Sequence, residues 1–213
     1  MRKGFGICCI ILGICCLIAS FGFIVYNRWE ETHAQNASQN ILQDVRENIL
    51  DNTREENTPQ ESTSAERDPE EPTEIPADIP QEMLTTQVNG YDCIGVLSIP
   101  VLELELPVLT DWSYAKLKIA PCHYFGSCYE ENFVIAAHNF QSHFGRLSLL
   151  EPGDLILFTD ISGTVHYYEV VLLETLPGNA TKEMITSGFD LSLYTCTPGG
   201  ASRVTVRCNT FEQ

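Results

Sequence analysis

The sequence predicts a mainly β domain, a closed barrel of short strands with a few brief helices, preceded by a transmembrane helix and a disordered tether. Three observations predict it. Residues 4–26 form an unbroken run of 23 uncharged positions. Residues 28–88 are polar, acidic and rich in proline. From Asn89 onward, short apolar segments alternate with turn residues at close spacing, as in a sandwich or barrel. Closure into a barrel is the better solution because it leaves no strand edge unpaired.

At ~1.5 Å per residue the apolar run spans about 34 Å, enough for a hydrocarbon core of ~30 Å. It exceeds the ~7–15 residues of a cleavable signal core, and no small-residue cleavage site follows it. Residues 1–27 therefore read as a retained signal anchor. Arg2 and Lys3 precede the run, whereas Glu30 and Glu31 follow soon after Arg28. That asymmetry places the N-terminus in the cytoplasm and, in a single-pass topology, the bulk of the chain outside the cell membrane.

Within residues 28–88, Ile41, Leu42, Val45, Ile49 and Leu50 recur at helical spacing, a short amphipathic stripe. From Asp51 to Met83 acidic residues outnumber Arg54 and Arg67, and Pro59, Pro69, Pro72, Pro76 and Pro80 interrupt the chain. Too little apolar surface is available to offset chain entropy, so 28–88 is expected to be a largely disordered extracellular tether. A flexible chain of this length reaches about 40–47 Å and leaves the direction of the domain free.

The domain at residues 89–213 is long enough for a single core. Residues 93–99 end at Pro100, and 104–109 follow within a few positions, giving two strands with a tight link. Residues 133–137 are apolar on both faces and read as a central strand. Residues 155–159 and 165–171 flank Asp160-Ile161-Ser162-Gly163, a hairpin signal. Two last strands, 191–196 and 203–208, flank Pro198-Gly199-Gly200. Brief helices fit near 113–117, 142–149 and 182–187.

Charge and cysteine usage narrow the function. The chain has 29 acidic and 12 basic residues, a net charge of -17, which argues against nucleic acid as a partner. Cys8, Cys9, Cys15 and Cys16 belong to the apolar run. The remaining five, Cys93, Cys122, Cys128, Cys196 and Cys208, are an odd set, so one thiol stays free if only intramolecular bonds form. Cys122 and Cys128 are near enough in sequence to pair, and Cys208 is the rival partner for Cys196. The sequence holds neither CxxC nor HExxH, and Cys122-His123 with Cys128 fits no zinc spacing, so no metal or cofactor is expected.

Cys196 ends one strand pattern and Arg203 opens the next, a nucleophile with an oxyanion partner that still needs a base. Of the five histidines, His33 lies in the tether and His166 within a hairpin strand. His123 follows Cys122, and His143 opens an expected helix. His138 differs, because it ends the apolar strand 133–137 and would project at a strand end as Cys196 does. Asn139, Thr195 and Thr197 are further candidates for substrate contact. Arg207 shares the strand face of Arg203 and is expected to matter much less.

Val134-Ile135-Ala136-Ala137-His138-Asn139, His143-Phe144-Gly145-Arg146-Leu147, Gly153-Asp154 and Leu193-Tyr194-Thr195-Cys196-Thr197 with Arg203 resemble, in order and spacing, the sortases. These are the cysteine transpeptidases of Gram-positive bacterial surfaces. The likeness runs from about residue 91 to 208, with Ala137 where the family usually has glycine. The resemblance implies an eight-stranded barrel in which Cys196, His138 and Arg203 are catalytic. Cys196 would attack the threonine carbonyl of a sorting signal similar to Leu-Pro-x-Thr-Gly on a surface protein, forming a thioester. An amine of a peptidoglycan precursor or a pilin would then resolve it. His138 suits general acid and base work, and Arg203, charged at any accessible pH, suits substrate and oxyanion binding. The His-Asn pair and the His-Phe-Gly-Arg-Leu run look closer to the class B type. Two other readings use the same residues. One is a cysteine peptidase that hydrolyses, distinguished by product release independent of amine. The other is a non-catalytic anchored binding module, distinguished by the lack of an acyl adduct on Cys196.

Overall fold

In the computed structural model, which describes residues 2–56 and 82–211, the expected barrel closes. Its strands are β1 (Thr86–Val88), β2 (Tyr91–Ile99), β3 (Leu104–Leu109), β4 (Cys122–Phe125), β5 (Phe133–Ala136), β6 (Leu155–Asp160), β7 (Val165–Pro177), β8 (Leu191–Cys196) and β9 (Ser202–Thr210). They run in the order β1-β2-β3-β4-β5-β8-β9-β7-β6, and β2 also pairs with β6. Strands β2 to β9 thus form a ring of eight, while β1 pairs with β2 outside it.

The ring closes at Gly95, which faces Val108 on one side and Asp160 on the other. Its φ is +155°, and a Cβ there would lie 2.2 Å from the Thr159 carbonyl oxygen. Only glycine permits that approach. All seven strands expected from the sequence are present, with β7 longer than foreseen, and β4 supplies the eighth. Two brief helices also appear, α2 (Tyr114–Leu117) and α3 (Thr181–Ile185). The helix expected over 142–149 is instead a series of turns ending in a 3-10 helix, Leu147–Leu149.

The β6–β7 hairpin is built on one carboxylate. Asp160 Oδ1 accepts from the Ser162 and Thr164 amides, and Oδ2 lies 3.0 Å from the Tyr129 hydroxyl and 3.1 Å from His166 Nε2. Burial pushes the Asp160 carboxyl up, but the bonds from Ser162, His166 and Tyr129 more than reverse that and hold it below the usual range. His166 is accordingly a packed structural histidine.

Inside the ring, Phe133, Phe158, Tyr168, Leu193 and Val206 form the main core. A second apolar cluster lies outside it, under a helix. This helix, α1 (Arg2–Glu56), runs without a break from the apolar N-terminal run into the segment expected to be a tether. No glycine or proline occurs between residues 27 and 56. Ala34, Ser38, Ile41, Leu42, Val45 and Ile49 fall on one helical face and are buried. Ile41, Leu42, Val45 and Ile49 pack against Val88, Val96, Leu109 and Ile161. Burying each large aliphatic side chain contributes roughly 1.5–3 kcal/mol.

Within the expected tether the amphipathic stripe is helical, and from Ala34 to Ile49 it lies against the barrel, so this part of the chain is not free in direction. The physical reason is the apolar band on β1, β2 and β3 with Ile161 of the hairpin turn, which gives the stripe a partner that spacing alone does not reveal. The rest of the expected disordered tether, residues 57–81, lies outside the described residues. Before the docked part, α1 is exposed and apolar enough to cross a membrane by length and composition.

Candidate active site

Three neighbouring strands build the site. Cys196 is the last residue of β8 and stands opposite Arg203 in the antiparallel register with β9. The connection is tight. The Thr197 amide donates to the Ser202 carbonyl at 2.9 Å and the Gly200 amide to the Thr197 carbonyl at 2.8 Å. Strand β5 lies parallel to β8 on its other side, with Ala136 facing Tyr194. The Ala137 amide donates to the Tyr194 carbonyl at 3.2 Å, and the Thr195 hydroxyl donates to the Ala137 carbonyl at 2.9 Å. Carrying this register two residues further sets His138 beside Cys196. The structure thus sets the three residues the sequence singled out at one end of the barrel, Cys196 ending β8, Arg203 near the start of β9 and His138 just past β5.

The His138 ring is half-buried and stacks on Phe140 at 4.1 Å between centroids and 16° between planes. Burial lowers its pKa below the ordinary 6.5; Glu30 acts upward, Lys118 downward and the Asn139 side chain upward. The neutral imidazole, the form that accepts a proton, is favoured near neutral pH. Two of these influences come from the α1 boundary: Glu30 pairs with Lys118, and Glu31 Oε1 accepts the Gln141 amide at 2.7 Å. That α1 reaches this end was not legible in the sequence, because the contacts join residues about 90 to 110 positions apart.

Arg203 is held by its own turn, Nη1 donating to the Gly200 and Ser202 carbonyls at 3.3 Å each. With Cys196 it lines a cleft walled by Trp112, Tyr124, Tyr194 and Met184 of α3. Cys196 also borders a second cleft, lined by Asn139, Gln141, Ser148, Thr197 and Val204. Asn139 is thus available to a ligand there. Thr195 borders the same cleft, but it is buried and its hydroxyl is engaged by the Ala137 carbonyl. Thr197 lines the second cleft, yet its hydroxyl accepts the Ser202 amide at 3.2 Å and holds the turn.

Arg207 is not the solvated counterpart of Arg203. It is 1% exposed. Nε donates to Glu174 Oε1 at 2.8 Å, Nη1 to Ser192 Oγ at 2.7 Å and Nη2 to the Glu183 carbonyl at 2.8 Å. It pins α3, a wall of the first cleft, to the barrel.

Cys93, Cys122, Cys128, Cys196 and Cys208 are all free, so neither pairing left open by the sequence, Cys122 with Cys128 or Cys196 with Cys208, is formed. Cys208 is buried and faces Leu191, at the far end of β8 from Cys196. Burial pushes the thiols of Cys93, Cys122 and Cys128 up to about 12 and raises that of Cys208 further. Cys196 is the one exposed barrel thiol among the described residues. The other histidines stand apart. His123 bridges the Thr110 and Gly126 carbonyls at 3.1 and 2.8 Å, and His143 is fully buried beneath Phe140.

A closed eight-stranded barrel with cysteine, histidine and arginine at one end of three adjacent strands defines the structural class. The Sortase domain family model matches residues 97–210, more than half of the chain and all three of these residues. The chain belongs to the sortase family of transpeptidases. Its fold is similar to that of sortase A from Corynebacterium diphtheriae, with 24% identity and a TM-score of 0.53 over 58% of this chain and 62% of that one. Sortase C of Streptococcus pneumoniae is 26% identical with a TM-score of 0.51, covering 60% of this chain and 69% of that one. Sortase C1 from Streptococcus suis is 26% identical with a TM-score of 0.50, covering 57% and 74% respectively. The chain thus spans less than two thirds of the Corynebacterium protein. No curated protein matches it.

Proposed function

We propose that this protein is a membrane-anchored cysteine transpeptidase acting on the C-terminal sorting signals of surface proteins. Cys196 attacks the threonine carbonyl of a signal similar to Leu-Pro-x-Thr-Gly, and the C–N bond breaks as His138 protonates the departing amine. The acyl group remains on sulfur as a thioester. An amine from a cell-wall precursor or a pilin, deprotonated by His138, attacks it and releases the joined product. Arg203 stabilises the oxyanion at both stages, a contribution of roughly 2.7–4 kcal/mol for one such donor. The two clefts meeting at Cys196 suit this sequence, one for the acyl-side peptide beside Arg203 and the other for the amine.

The observation that carries the reading is the register pairing of Cys196 with Arg203 next to the strand that ends in His138. The anchor at residues 1–27, with the N-terminus in the cytoplasm, puts the barrel outside the cell, where such substrates are displayed. The test is a panel of sorting-signal peptides incubated with the full-length chain, with and without an added amine. An acyl adduct on Cys196, absent from Cys196→Ala and released by hydroxylamine, with amine-dependent product, is the expected result. Amine-independent release would instead mark a peptidase, and absence of any adduct a binding module.

A further inference from the structure

Helix α1 passes along the barrel, and its contacts grade the barrel by height. Glu30 meets Lys118 and Glu31 meets the Gln141 amide. Further along, Asp44 accepts from Asn89 at 2.9 Å, Arg46 Nε donates to Glu105 at 2.8 Å and Asn48 meets Thr86 at 3.0 Å. Last, Asn52 donates to the Ile161 carbonyl at 3.1 Å. From Glu30 to Asn52 the helix rises about 33 Å. The strand directions agree with this scale. Strands β5 and β8 both run toward the Gln141 and Lys118 end, where His138 and Cys196 lie. The β6–β7 hairpin, with Ile161, occupies the opposite end.

Resting on the reading of residues 4–26 as a membrane span, we propose that the end of the barrel bearing Cys196 and His138 faces the bilayer and sits in its outer headgroup layer. Tyr26, the last residue of the uncharged run, is four residues before Glu30. That is a rise of about 6 Å. The polar layer of one leaflet is roughly 5–8 Å deep, and a tilt of about 20° shortens the rise by less than a tenth. Lys118 and Gln141 therefore stand at headgroup level with the catalytic strand ends beside them.

The side chains at that level fit a lipid interface. Tyr26 and Trp29 are exposed on the helix, and Trp112 and Tyr114 are exposed on the loop leading to Lys118. Tryptophan and tyrosine concentrate at the membrane–water boundary. The chain has two tryptophans, and both belong to this end. Charge is balanced there despite the total of -17, with Arg28, Lys116 and Lys118 against Glu30, Glu31 and Asp111. Anionic headgroups would not repel it.

The test uses the Trp29→Phe full-length chain in phosphatidylcholine vesicles whose lipids are brominated in the upper acyl chain, so that Trp112 is the only emitter. Vesicle flotation after an alkaline wash is measured on the same sample. The expected result is flotation together with loss of Trp112 emission relative to unbrominated vesicles. A Trp29→Phe, Trp112→Phe, Val165→Trp chain, with its emitter at the opposite end, should float and keep its emission. Flotation with undiminished Trp112 emission, or equal loss from both emitters, overturns the proposal while leaving the anchor standing. Failure to float overturns both.

Discussion

The Thr195 hydroxyl donates to the Ala137 carbonyl across 2.9 Å, so the residue before Cys196 is bonded to the residue before His138. These residues lie 58 positions apart on parallel strands. A slip of one residue would move thiol and imidazole past each other by ~3.3 Å. The side chain expected to touch substrate thus locks the alignment of the two strands that present the chemistry.

Thr195→Val keeps the shape and removes the donor. Leaving the buried Ala137 carbonyl without this partner costs about 1–3 kcal/mol, and a displacement of ~1 Å at the site costs roughly a hundredfold in rate. Thermal unfolding and the rate of acyl-adduct formation should both fall for valine and recover for Thr195→Ser. Indistinguishable valine and serine variants would refute the locking role.

The Glu30–Lys118 pair should tune His138. Glu30 favours the imidazolium and Lys118 disfavours it. Glu30→Gln should therefore lower the His138 pKa further, and Lys118→Met should raise it, each also releasing its partner's charge. Titration of the ring by NMR reads both shifts, and the acid limb of the pH–rate profile should move in the same directions. Shifts of the same sign in both variants would contradict the assignment.

His143 makes the barrel sensitive to acid. Its ring is buried, neither nitrogen has a protein partner, and burial with the nearby His138 holds its pKa at about 4 against an ordinary 6.5. The folded state favours the neutral ring. Stability is thus fully present above the unfolded pKa and lost as pH falls from 6.5 toward 4. At ~1.36 kcal/mol per pKa unit, the loss approaches about 3 kcal/mol. Urea unfolding across that window should show a flatter pH dependence for His143→Leu; an unchanged slope would rule the residue out.

The two arginines of β9 should separate activity from stability. Arg203→Ala is expected to reduce turnover about a hundredfold to a thousandfold with little change in unfolding midpoint, as for one oxyanion donor. Arg207→Ala removes the bonds that hold α3 and leaves Ser192 and the Glu183 carbonyl without this partner, a loss of about 1–3 kcal/mol, since Glu174 is partly exposed and can be hydrated. Chemical denaturation and peptide turnover measured on both variants decide the matter, and a strongly destabilised Arg203→Ala would reverse the roles.

The periodicity of β5, β8 and β9 revealed where His138, Cys196 and Arg203 end up, because a strand end is a local property. Strand β4 escaped notice because Cys122–Phe125 is only four residues long and shows no alternation. The burial of Arg207 was not legible, because period-two logic says which residues share a face of β9 but not that α3 covers that face at Arg207. The docked half of α1 escaped for a related reason. Its stripe was visible, but its stability comes from an apolar surface assembled from three strands distant in sequence.

Cys196 opens on two clefts, while the other barrel thiols among the described residues are buried. Cys208, once considered as its partner, sits opposite the other end of β8, about 17 Å away along the strand. Among the described barrel residues an oxidant therefore finds a single exposed thiol. With no resolving thiol in reach, a sulfenic acid there is spared only by capping with a small external thiol, and further oxidant carries it on to the irreversible sulfinic acid. A capped Cys196 is restored by a diffusible reductant without disturbing the barrel, so the supply of small thiols decides whether inactivation by oxidants is temporary.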